Sequence, residues 1–250
     1  VSRTGVTALT NGNYVVRSHF WDNGNVTNAG AATFGDGNTG MIGVVSVANS
    51  LVGSTDDDQV SSTGVTALTN GNYVVRSRYW DNGAATDAGA ATFGNGTTGV
   101  IGVVSVTNSL VGSTASDQVS STGVTALTNG NYVVRSQNWD NGAATNAGAA
   151  TFGDGTTGVI GEVSAANSLV GSTSGDQVSR TGVTALTNGN YVVRSRYWDN
   201  GAVTDAGAVT FGNGTTGVTG RLTSNHSVAG LENSSTTIEI IQDDNNNAFI

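Results

Sequence analysis

Residues Gly64 to Ser77 read GVTALTNGNYVVRS. The first half, Val65-Thr66-Ala67-Leu68, is a short β-prone run. Thr69-Asn70-Gly71-Asn72 follows, and Asn-Gly between two such runs is the strongest short-range hairpin signal. Tyr73-Val74-Val75-Arg76-Ser77 is the return strand. The same phrase stands at Gly5, Gly123 and Gly182, so its spacing is always 59 residues. WDNG recurs at Trp21, Trp80, Trp139 and Trp198, and NSLVGST at Asn49, Asn108 and Asn167. Units 60–118 and 119–177 differ at only nine of 59 positions. Such near-identity reads as recent duplication of a structural array rather than as four specialised modules.

The rest of the unit reads the same way. Asp81-Asn82-Gly83 breaks the return strand, and Gly89 to Phe93 is a third strand. Gly94 to Gly99 is a second turn. Further strands are expected at Val103 to Val106 and at Ser109 to Gly112. No segment has a capped 3.6-residue apolar period, which argues against helix. Strands this short cannot bury a face alone and must stack on their neighbours. The fold expected is all-β, a β-propeller of four 59-residue, four-stranded blades. The alternative is a parallel β-solenoid, three coils of roughly 20 residues per unit. The tight antiparallel hairpin favours the propeller. Units 1–59, 60–118, 119–177 and 178–236 form one expected domain. Residues 237–250 read as a degenerate terminal hairpin, a clasp or an inter-chain strand.

Composition removes several function classes. The chain of 250 residues has no Cys, no Lys and two His, and its net charge is -9. With no Cys there is no disulfide framework, thiolate nucleophile or cysteine zinc site. A pI near 4.3 offers no electrostatic footprint for nucleic acid or for an anionic membrane surface. No apolar run approaches the ~18 residues of a membrane span. A phosphate loop of the GxxxxGK[ST] type is impossible without Lys. The chain starts at Val rather than Met, as a processed chain or an excerpt would.

From Asn167 onward the sequence NSLVGSTSGDQVSRTGVTALTNGNYVVRS, then WDNG and AGAVTFGNGTTG, resembles the FG-GAP repeat of integrin-α-type propellers. The resemblance is carried by Gly175-Asp176-Gln177-Val178 with Val183-Thr184, by Leu186 with Asn188 to Val193, and by Gly207-Ala208-Val209. It covers most of each unit and implies a propeller blade. NGNYVV and WDNG also resemble repeats of large secreted bacterial surface proteins of filamentous-haemagglutinin type, which implies an extracellular, adhesin-like role. Two departures stand out. Thr10 to Asn13 and its copies carry no carboxylate, so the family's calcium site is not carried over. Integrin-type propellers have seven blades, and this chain has four units.

Few residues are candidates for chemistry. Asp36 and Asp154 alternate with Asn95 and Asn213 before Gly, which suits a turn and not a metal or catalytic carboxylate. Arg17, Arg76, Arg135 and Arg194 recur in register, as do Asp22, Asp81, Asp140 and Asp199. They read as Arg–Asp or Arg–aromatic locks within the scaffold, or as a ring of ligand-binding cations. Trp21, Trp80, Trp139 and Trp198 read as wedges between blades or as sugar-stacking platforms. His19-Phe20, Arg78-Tyr79, Gln137-Asn138 and Arg196-Tyr197 vary between copies, as does the loop after WDNG. Asp56-Asp57-Asp58 becomes Ala115-Ser116-Asp117 and Ser174-Gly175-Asp176. Variable loops on a repeated scaffold face solvent, and the acidic run reads as solvated. No nucleophile–base constellation recurs.

These readings lead to a non-enzymatic extracellular structural or adhesive protein, secreted or held at a cell surface. It needs no cofactor and no metal. Its expected partners are copies of itself or a cell-surface glycan, without nucleic acid or membrane insertion. Self-assembly is expected through the terminal strands, at Ile238, Ile240, Ile241, Phe249 and Ile250. The alternative is a glycan-binding propeller lectin with one site per blade interface, formed by the repeated Arg and Trp residues.

Overall fold

The computed structural model describes residues 5–232 and the backbone of two short strands beyond them. Blade one contains β1 (Val6–Ala8), β2 (Tyr14–Ser18), β3 (Ala31–Gly35) and β4 (Leu51–Val52). Blade two contains β5 (Gly64–Ala67), β6 (Tyr73–Ser77), β7 (Ala90–Gly94), β8 (Gly102–Val103) and β9 (Ser109–Val111). Blade three repeats the set as β10 (Gly123–Ala126), β11 (Tyr132–Ser136), β12 (Ala149–Gly153), β13 (Gly161–Glu162) and β14 (Ser168–Val170). Blade four has β15 (Gly182–Ala185), β16 (Tyr191–Ser195), β17 (Ala208–Gly212), β18 (Gly220–Arg221) and β19 (Ser227–Ala229). The last pair is β20 (Gln242–Asp243) and β21 (Ala248–Phe249), which run antiparallel. The chain is all-β in a four-blade layout.

Within a blade four strands form an antiparallel meander. In blade two the order is β5-β6-β7-β9, with Ala67 opposite Tyr73, Ser77 opposite Ala90 and Thr92 opposite Ser109. The Asn-Gly hairpin therefore lies where the sequence places it. Thr92 Oγ1 and Ser109 Oγ, both buried, share a 2.7 Å hydrogen bond across the last two strands. That pair satisfies two hydroxyls inside an apolar layer.

The fifth strand comes from elsewhere. β8 leaves its own blade and pairs in parallel with β4 of blade one, Leu51 opposite Gly102. β13 pairs likewise with β9, and β18 with β14. Three sheets thus have five strands and the fourth has four. The strand expected at Val103 to Val106 is only Gly102–Val103. It has only a two-residue partner, on another unit. Parallel seams belong to the solenoid alternative, while the blades follow the propeller expectation. Among the described residues no strand pairing joins blade one to blade four, so the row is open.

The core lies between the blades. Leu9, Val15, Ala32 and Leu51 of blade one pack against Tyr73, Val75, Trp80 and Val111 of blade two. Equivalent residues form the next two interfaces. The hairpin turn clasps the following blade as well. Asn11 and Asn13 both donate from Nδ2 to the Gly96 carbonyl, at 2.7 Å each. Asn70 and Asn72 do the same to Gly155, and Asn129 and Asn131 to Gly214. These asparagines read in sequence as turn formers; they are also the ties between units.

One reading of the acidic run is corrected here. Asp58, Asp117 and Asp176 are fully buried, not solvated. Asp117 Oδ2 accepts the Ser113 and Thr114 N–H groups, and Oδ1 accepts the Asp140 N–H of the next unit. Burial pushes this carboxyl above its usual range, and the three N–H donors pull against that shift. Of the acidic triplet only Asp56 and Asp57 are exposed. An Asp117→Asn variant places an amide donor against at least one of these N–H groups. We expect a loss of about 1–3 kcal/mol in urea unfolding; an unchanged midpoint would refute the structural role.

Candidate functional site: an arginine row beside the hairpins

The repeated arginines sit near the end of each second strand, opposite a glycine of the first. Arg76 pairs in register with Gly64, and Arg135 with Gly123. Arg76 Nη2 donates to the Thr63 carbonyl and Arg135 Nη2 to that of Thr122. Arg194 Nη2 donates to the Thr181 carbonyl at 2.8 Å. The glycine leaves the space. A Cβ on Gly64 would stand 2.9 Å from Arg76 Nη2 and 3.5 Å from Arg17 Nη1. On Gly123 it would meet Arg135 Nη2 and Arg76 Nη1 at the same two distances. Guanidinium groups of consecutive blades therefore converge on one glycine, and the four arginines form a row rather than a ring.

The expected Arg–Asp lock is not formed by Arg76, Arg135 or Arg194. Among the described residues, no carboxylate forms an ion pair with Arg76, Arg135 or Arg194. Asp81 instead accepts the Asp87 N–H through Oδ1 at 2.8 Å, and Asp140 and Asp199 make the equivalent bonds. Each short side chain bonds within its own loop. Burial, then the neighbouring Arg135 and Arg17 charges, hold Arg76 below its ordinary pKa. Arg135 is lowered by burial and by Arg194. Nε of Arg76, Arg135 and Arg194 is buried without an acceptor. The row thus concentrates positive charge with spare donors, the complement of an anion.

The tryptophans are not beside this row as open platforms. Trp80, Trp139 and Trp198 keep 5%, 4% and 4% of their surface and lie in the three inter-blade cores. Their rings are wedges, and buried rings cannot stack a sugar. Trp21 is half-buried and packs against Ala31, Val45 and Val52 of its own blade. Exposed aromatic surface lies one residue earlier, where the copies differ. Arg78 stacks 4.3 Å over the Tyr79 ring and also donates to its hydroxyl. Arg180 and Arg196 lie 4.7 and 5.7 Å from the Tyr197 ring centre. His19 and Phe20 stack in blade one, ring centres 4.0 Å apart. Burial and the Arg17 charge lower the His19 pKa. Sequence variation between copies marked these positions, but only the structure pairs Arg180 with Tyr197, 17 residues away.

The Asp/Asn alternation is explained by the turn. Asp36 Oδ1 accepts the Asn38 and Thr39 N–H groups, and Asn95 Oδ1 those of Thr97 and Thr98. Only the oxygen common to both residue types is used. Of the terminal contact residues, Phe249 lies in β21. Ile238, Ile240, Ile241 and Ile250 lie outside the described residues.

With this geometry in view, one family pattern matches four times, at residues 8–62, 67–121, 126–180 and 185–237. It is described as a repeat of unknown function, DUF5650. The chain belongs to that family. The match is not to an FG-GAP or integrin-type family, so the firm statement is four tandem DUF5650 repeats. No curated protein matches the chain.

The arginine row gives a DUF5650 repeat a testable contact. Gly123 and Gly142 both have positive φ, 121° and 62°, but only the Gly123 position faces a guanidinium. Gly123→Ala should cost more stability than Gly142→Ala. An Arg135→Ala background should narrow that gap by roughly 0.5–3 kcal/mol in a double-mutant cycle. Additive effects in thermal or urea unfolding would contradict the contact.

Proposed function

We propose that the chain is a non-enzymatic structural and adhesive module, secreted or displayed at a cell surface, that presents repeated blades to its surroundings. One observation carries this reading. Three successive interfaces use the same residues and the same bonds, and the row they build does not close. An open row of near-identical blades suits extension and multivalent contact better than a single reaction centre. The likeness to FG-GAP blades and to filamentous-haemagglutinin-type repeats supports the extracellular setting. Self-association and cell-surface glycans are the partners this role requires.

A second reading has its own observation. Arg78 on Tyr79, with Arg180 and Arg196 on Tyr197, puts cations beside partly exposed aromatic rings. Such pairs suit a glycan, above all an acidic one, and they replace the buried tryptophans in the lectin alternative.

Beads coated with the chain test the first reading. They should clump or adhere to cells where albumin-coated beads do not; beads that adhere to neither would sink it. A glycan array tests the second. Tyr79→Ala with Tyr197→Ala should then remove most of any sugar signal while leaving bead clumping intact. A signal insensitive to both substitutions would rule out the aromatic rim.

A further inference from the structure

Each internal interface has three parts, and the two ends of the row hold unused halves of the first two and the outer rim of the third. The first part is the parallel seam. Val104 N–H donates to the Val52 carbonyl, Val163 to Val111 and Leu222 to Val170, at 3.1, 3.0 and 2.9 Å. At the blade-one end the equivalent residues are Gly43, Val44 and Val45, and among the described residues no strand pairs with them. At the other end, among the described residues, no strand lies beside the outer edge of β19, and its sheet has four strands.

The second part is the asparagine clasp. Asn188 and Asn190 stand where Asn11 and Asn13 stand in blade one. Among the described residues, their side-chain N–H groups have no acceptor. Gly37, the counterpart of the accepting Gly96, is exposed, whereas Gly96, Gly155 and Gly214 are buried. The third part is apolar. Leu51, Leu110 and Leu169 are fully buried, yet their counterpart Val228 keeps 67% of its surface. Phe211, on the same face, is exposed too. Leu186, Val192 and Val209, further in, are buried within the chain itself, so the open part is the outer rim. On blade one, Tyr14, Val16 and Trp21 are half-buried where Tyr73, Val75 and Trp80 are buried.

We propose that the partner for each end is a second copy of this chain, joined head to tail through the internal seam. Gly43 and Val44 of one copy pair in parallel with β19 of the preceding copy, Gly43 opposite Val228 and Val44 opposite Ala229. The fourth sheet gains its fifth strand. Asn188 and Asn190 donate to the Gly37 carbonyl of the incoming copy, and Phe211 and Val228 are covered. The contact is heterologous and need not close, so it produces filaments. It is β-augmentation with the register set by three existing examples. The inference rests on the self-association reading above, but it puts the contact on residues before position 233, away from the terminal hairpin.

The test measures mass and register together. By light scattering, the native chain should form species at multiples of 25.0 kDa that grow with concentration. Val228→Glu leaves an exposed carboxylate on the single copy, but buries it in the joint. It should weaken association about tenfold or more, with far-ultraviolet circular dichroism unchanged. The chain has no Cys, so any disulfide reports an introduced pair. Mixing a Val44→Cys chain with an Ala229→Cys chain under oxidising conditions should give the mixed cross-linked dimer. A native chain that stays at 25.0 kDa overturns the proposal. So does association that ignores Val228→Glu and gives no mixed cross-link. A cross-link within one chain carrying both cysteines also overturns it, because the row then closes on itself. Beads coated with the native chain separate the two readings: adhesion to cells by a chain that stays at 25.0 kDa would leave the adhesive role standing and remove the joint.

Discussion

The outer edge of each of the first three blades is completed by a two-residue strand from the next unit. All else in the row follows from that loan. A blade alone has a short fourth strand, one unpaired edge and two apolar faces. Its neighbour supplies the missing hydrogen bonds at the edge and covers one face with Tyr, Val and Trp side chains. Stability in such a row is a sum of weak units and strong nearest-neighbour terms. No unit is expected to persist without its neighbours, because so little of its apolar surface is turned inward on itself. The absence of Pro from all 250 residues fits this, since hairpin, seam and connecting turns all draw on backbone N–H groups.

The same loan explains where copies are free to differ. A residue at an interface must fit two neighbours, so Leu68, Trp139 and the clasping asparagines hold their identity down the row. Val103, Glu162 and Arg221 occupy one position and share no chemistry, because that position contributes backbone to the seam while its side chain is not part of the core. His19-Phe20 and its copies vary as pairs; His19 meets Phe20 and Arg78 meets Tyr79 within the pair, whereas Asn138 donates to Gln118 and Tyr197 also meets Arg180.

Much of the fold was legible because its cues are local. The hairpin around Asn70-Gly71 needs only its own residues, and β6 spans the same Tyr73 to Ser77 that the alternation of the sequence marks. The third strand, expected at Gly89 to Phe93, is shifted by one residue to Ala90–Gly94. What was hidden is non-local. Nothing in Gly102-Val103 says that its partner is Leu51-Val52 of the preceding unit. Nothing in the triplet Asp56-Asp57-Asp58 says that the last member turns inward to hold three N–H groups. The candidate site was half legible. Repetition picked out Arg76 and Trp80 equally, but only burial separates a wedge from a donor left with spare capacity.

The arginine row adds a term that acts against the seam. Each further blade sets one more guanidinium beside the last, and at Gly64 and Gly123 one glycine faces both. The planar fork allows this: Nη2 bonds the carbonyl of its own blade while Nη1 lies toward the next, a division of labour unavailable to a compact ammonium. All nine basic residues of the chain are Arg, in keeping with that need. The repulsion is softened by the partial exposure of the row, where salt screens charges within a Debye length of about 8–10 Å. Seam and row therefore depend on different variables. The seam responds to apolar burial and backbone pairing, while the row responds to ionic strength and to anions. A chain so built gains length through one and sensitivity to its ionic surroundings through the other, without any residue of the seam having to titrate.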